Sequence, residues 1–156
     1  MKNKLFYGIA ILLSFSLMSS TCSSDDDDGV PNNNNIQDVS NIAMSGNWTV
    51  TSFIDSGIDE TNHFNGYTFT FANNGTLTAT NGSNTISGTW SVTNSNSNDD
   101  SSNDIDFNIF FPVDDNHPFE DLNDDWDITT YNSNLIDLID ISGGNGGTDT
   151  LTFEKS

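Results

Sequence analysis

Between Phe64 and Val92 apolar and polar side chains alternate with a period of two. Tyr67, Phe69 and Phe71 are interleaved with Thr68 and Thr70. After Asn74-Gly75, Leu77 and Ala79 alternate with threonines, and then Ile86, Gly88, Trp90 and Val92 alternate with Thr85, Ser87, Thr89 and Ser91. Successive side chains leave opposite faces of a pleated strand, so this pattern predicts half-buried antiparallel strands with an aromatic inner face. Asn74-Gly75 marks a tight hairpin, because both residues tolerate the positive φ of a primed turn.

The same alternation recurs on either side. Gly46-Asn47-Trp48 opens a first strand, with Val50 and Ile54 on the tryptophan's face and Thr49 and Thr51 opposite. Ile105, Phe107, Ile109 and Phe111 alternate with Asp104, Asp106 and Asn108, which turns Phe110 outward. Trp126 to Tyr131, Leu135 to Ile141 and Thr148 to Glu154 supply three more strands, the last with Leu151 and Phe153 inward. The polar stretch 94–103 and the glycine-rich stretch 142–147 read as loops. Pro112 to Asp125 is the longest irregular segment, with a short helical turn expected from Pro118 through Phe119 and Leu122. Eight short strands with tight connections predict an all-β domain over 45–156, an antiparallel up-and-down barrel that leaves no exposed sheet edge. A two-sheet β-sandwich is the alternative. An eight-stranded barrel is just wide enough to be filled by side chains or to hold one small ligand.

Upstream, Lys2 and Lys4 precede an apolar run from Leu5 to Met18, which has the length of a secretory signal. The run falls short of the roughly 20 apolar residues that a membrane span requires. Cys22 follows at once and is the single cysteine, so no internal disulfide can form. Residues 22–44, with Asp25 to Asp28 and Asn32 to Asn35, are too poor in apolar side chains to offset their ordering entropy and are expected to form a flexible, disordered tether.

Charge narrows the partners. The 156 residues carry 23 acidic and three basic side chains, a formal net charge of -20. Nucleic acid is excluded, because affinity for phosphate backbones comes from lysine and arginine. The acidic clusters at Asp99 to Asp106 and Asp114 to Asp127 offer the oxygen ligands that calcium uses, but neither has the spacing of a calcium loop, so a solvated acidic surface is expected, with weak calcium binding the alternative. No cofactor and no dedicated metal site are expected, and no enzyme. His63 and His117 stand in separate loops, and no nucleophile-base motif accompanies them.

Two resemblances sharpen these expectations. An h-region ending at Cys22 resembles a bacterial lipoprotein signal, although Ser19 and Thr21 stand where such signals carry Leu and a Gly or Ala. This resemblance implies a signal peptide over 1–21 and acylation of Cys22, hence a membrane-bound partner surface. Ser23 to Gly29 resembles the acidic export signal of Bacteroidota lipoproteins, implying the outer membrane or cell surface. Gly46-x-Trp48, the Gly66 to Phe71 stretch and Gly88-Thr89-Trp90-Ser91-Val92 come in the order of small lipocalin-like lipoproteins. That resemblance covers 45–156 and implies that Trp48 plugs the barrel's closed end.

Trp48, Tyr67, Trp90 and Trp126 are the candidate ligand-binding residues. The last three have polar tips suited to a rim. The competing expectation is that these rings, with Phe69, Phe71, Phe107, Phe111 and Phe153, are simply the core. The function expected is a monomeric, non-enzymatic binding or structural module at the cell envelope, for a small apolar or glycan-like ligand. A calcium-assisted adhesion or assembly accessory is the alternative.

Overall fold

The computed structural model describes residues 33–94, 105–141 and 147–156. The predicted signal 1–21, Cys22, the acidic run after it, the aspartates of 99–104 and the glycine-rich loop 142–146 lie outside the described residues. Among the described residues no helix is long and apolar enough to cross a membrane.

The described residues form one helix, α1 (Asn33–Ala43), and nine strands: β1 (Asn47–Asp55), β2 (Ile58–Asp59), β3 (Thr68–Phe71), β4 (Thr76–Thr80), β5 (Thr85–Asn94), β6 (Ile105–Phe110), β7 (Asp124–Asn132), β8 (Leu135–Ile141) and β9 (Thr148–Lys155). Short 3-10 turns lie at Thr61–Phe64 and Glu120–Leu122. All strand pairs are antiparallel, and β1 pairs with both β3 and β9. The strands β1 and β3 to β9 therefore close into an eight-stranded up-and-down barrel, and β2 is an extra strand on β1. Closure excludes the sandwich.

The predicted inner face points inward. Phe69, Phe71, Phe107, Phe111 and Phe153 are each at most 2% exposed. Small residues face large ones across the strands, since Ala79 pairs with Phe69 and Gly88 with Leu77. Gly88 has a specific reason to lack a side chain. A methyl there would run into the Phe110 carbonyl oxygen and the Phe111 ring.

Three local expectations are corrected. The tether predicted for 22–44 is helical from Asn33 to Ala43, and the packed body begins there and not at Ser45. Ile36, Val39 and Ala43 recur at helical spacing, and Val39 and Ala43 are fully buried in the core. An 11-residue helix is marginal alone, so this packing holds it. In β1 a bulge between Val50 and Ser52 resets the alternation. Phe53 therefore occupies the interior (1% exposed) and Ile54, expected there, is only half-buried. The primed turn is also elsewhere. Ser56 and Gly57, both at positive φ (47° and 86°), join β1 to β2 in a two-residue hairpin. At Asn74-Gly75 only the glycine is left-handed, with φ at 79°, after a turn closed by the Gly75 N–H donating to the Ala72 carbonyl at 3.0 Å.

Candidate functional site

The barrel interior is built from interlocking rings. Phe119, carried by the long β6–β7 loop, sits among Tyr67 (4.9 Å between ring centres), Phe111 (5.0 Å), Phe64 (5.3 Å) and Phe69 (5.8 Å). Further in, Phe71 meets Trp90, Phe107 and Phe153 at 5.2, 5.4 and 5.6 Å, each edge to face. Edge-to-face rings at these spacings add to their area burial. The loop that carries Phe119 is tied down by Asn123, whose side-chain amide bonds both the N–H and the carbonyl of Phe111.

Of the four residues expected to meet a ligand, the three tryptophans spend their polar tips on the fold. The indole N–H of Trp48 donates to the Ala43 carbonyl at 2.8 Å, that of Trp90 to Ala72 at 3.0 Å and that of Trp126 to Leu122 at 3.1 Å. Each bond fastens a connecting segment to the barrel: the end of α1, the β3–β4 turn and the second 3-10 turn. Trp48 thus ties the end of α1 to the start of β1. Tyr67 is half-buried beside Phe119. The four are distributed through the core and do not gather round one pocket.

A depression of about 600 Å³ lies on the outer wall between β5, β6 and the Asn74-Gly75 turn. Trp90 borders it, together with Thr89, Ser91, Asn108, Phe110 and Asp124. Phe110 is 54% exposed, and the Asn108 side-chain amide is oriented by donating to Thr93 Oγ1 at 2.9 Å. Sequence reasoning passed over this groove because most of its residues are the outward, polar half of the alternation. The outward Phe110 was its one visible sign.

Asp124, at the groove's edge, has its pKa pushed up to about 6, first by burial, then by its side-chain bond with Asp125 and by the charge of Asp140. A carboxyl raised in the folded state holds its proton more tightly there than in the unfolded chain. Its stabilising contribution is complete below pH about 4 and is lost as pH rises through about 6. Asp124→Asn should therefore raise stability at pH 7 by about 1 kcal/mol, after allowance for solvent screening of a half-exposed group. The gain should vanish at pH 4, as chemical denaturation at the two pH values would show. The amide can still accept the Asp125 N–H bond, made at 2.8 Å.

The histidines have separate neighbours. His117 Nδ1 accepts the Phe119 N–H at 3.2 Å, and His63 Nδ1 lies 3.5 Å from Glu60 Oε2.

Fold and interior together define a small closed β-barrel with a ring-packed core, a helix against the Trp48 end and a groove on its wall. No family model matches the chain, and no curated protein does. Among solved structures, a DUF4847 family protein from Bacteroides vulgatus is similar at 21% identity and a TM-score of 0.47, over 76% of this chain and 97% of that one.

Proposed function

We propose that this chain is a lipid-anchored protein of the bacterial cell envelope, held at the outer membrane or cell surface, whose barrel is a non-enzymatic binding module. Its ligand is a small glycan that seats on the outer wall. The observation that carries this reading is how the aromatic side chains are used. The interior rings pack against one another and the indole donors are satisfied by backbone carbonyls. Phe110 instead stands half in solvent among Thr89, Ser91, Asn108 and Asp124. An exposed ring beside hydroxyl, amide and carboxylate groups matches a sugar, which has an apolar face and hydroxyls around its edge. Orienting polar groups beside an aromatic surface are the general composition of a small-molecule site.

Anchoring rests on Cys22 following the Leu5 to Met18 run. Each buried methylene contributes about 0.8 kcal/mol, so two or three acyl chains hold a protein on a bilayer. Cys22→Ser should move the protein from the membrane to the soluble fraction, and persistence of that variant in the membrane would overturn the anchor. For the ligand, calorimetric titration with a panel of neutral oligosaccharides should find binding that Phe110→Ala reduces at least tenfold. Equal binding by the variant removes the groove from the proposal.

A further inference from the structure

The geometry points to a second site, independent of the groove: Glu60, His63 and Asp121 form a seat for a divalent transition-metal ion of the zinc class. One ligand atom from each of these side chains lies within 4.8 Å of the others. Ligands of a tetrahedral zinc, at bond lengths of 2.0–2.1 Å, stand about 3.4 Å apart, so the trio closes on an ion with roughly 1 Å of side-chain movement. Glu60 and His63 already have that spacing, at 3.5 Å. This is long for a charge-assisted hydrogen bond, which runs about 2.7–2.9 Å, and suits two ligands of one ion.

The three positions are set by the core beneath them. Glu60 is the N-terminal cap of the turn Thr61–Phe64, and His63 lies within that turn. The hydroxyl of Thr61 accepts the Phe53 N–H at 2.8 Å, and its own N–H donates to Asp59 Oδ1 at 3.0 Å. Phe64, next to His63, is 1% exposed and packs edge-on against Phe119. Asp121 belongs to the other 3-10 turn, where its neighbour Leu122 is fully buried. Two loops remote in sequence are thereby fixed to the same ring cluster with their polar residues converging.

Ligand chemistry selects the ion. Calcium takes an all-oxygen shell, whereas an imidazole joined to carboxylates suits zinc and its neighbours. Three protein ligands leave a fourth position for water. The surroundings call for positive charge. The carboxylates of Asp55 and Asp149 bear on Asp121 together with His63, and Asp149 is held in place by the Ser56 N–H at 2.7 Å. Among the described residues Lys155 is the single lysine or arginine. It is engaged elsewhere, donating to Ser45 Oγ at 2.8 Å.

The test is titration of the full-length chain with Zn²⁺ in competition with a chromophoric chelator, for the wild type, His63→Ala and Asp121→Asn. The expected result is one more zinc per chain in the wild type than in His63→Ala, and at least tenfold weaker binding in Asp121→Asn. Excess Ca²⁺ should not displace the metal. Zinc taken up by the Cys22 thiol is common to all three proteins and cancels in the difference. Thermal unfolding in EDTA should be no lower for either variant than for the wild type, because both substituted side chains are exposed; if either variant melts lower, Glu60→Gln takes its place. Equal zinc stoichiometry and affinity in wild type and variants would overturn the site, and so would displacement by Ca²⁺.

Discussion

Phe119→Ala should lower stability by about 3–5 kcal/mol, the usual cost of removing a buried phenylalanine ring. Phe119 is 1% exposed and is the one ring that contacts Phe64, Tyr67, Phe69 and Phe111 together. It comes from a loop and not from a strand, so the barrel walls should survive its loss. What remains is an apolar void lined by those four neighbours. Dry cavities of this kind, on the order of 150 Å³, take up benzene. The variant should therefore gain thermal stability in benzene-saturated buffer while the wild type does not. Urea unfolding measures the first effect, and a loss below about 1 kcal/mol would mean that the loop closes over the gap.

The second large effect is expected at the other end of the barrel. Trp48 is fully buried, its indole N–H holds the last carbonyl of α1, and Lys155 Nζ lies 5.8 Å from its ring centre. Trp48→Ala should cost about 3–5 kcal/mol and also loosen α1, which is too short to persist without its packing. Amide exchange in Val39 to Ala43 should quicken well before the strands exchange. Trp48→Phe helps to separate the two contributions, since it keeps most of the apolar bulk while removing the hydrogen bond, whose own share is about 1 kcal/mol. If α1 amides stay protected in Trp48→Ala, the indole is not what secures the helix.

The strands were legible because one face of each is buried and the other is not, which writes period two directly into the sequence. Legibility failed where geometry departs from that period. Thr51 is an extra residue in its strand and exchanges Phe53 for Ile54 on the inner face. In α1 the helical spacing of Ile36, Val39 and Ala43 is diluted by asparagines and becomes plain only against the surface it covers. The candidate ligand residues were recognised as inward-facing, but whether an indole N–H meets a ligand or a carbonyl depends on where the connecting segments land. Ala43, Ala72 and Leu122 carry no sign of that in their identity. Glu60 and His63 are neighbours along the chain, whereas Asp121 reaches them only through the folding of a distant loop.

The pairing of β1 with β9 has a consequence for assembly. Thr49 donates its hydroxyl to the Glu154 carbonyl across 105 positions of sequence, so the seam of the barrel joins the first described strand to the last. Such distant partners are the slow step in forming a sheet. The stave that seals the cask, Thr148–Lys155, follows every strand it closes, so until it has emerged a growing chain can curl up the meander but has nothing with which to shut it.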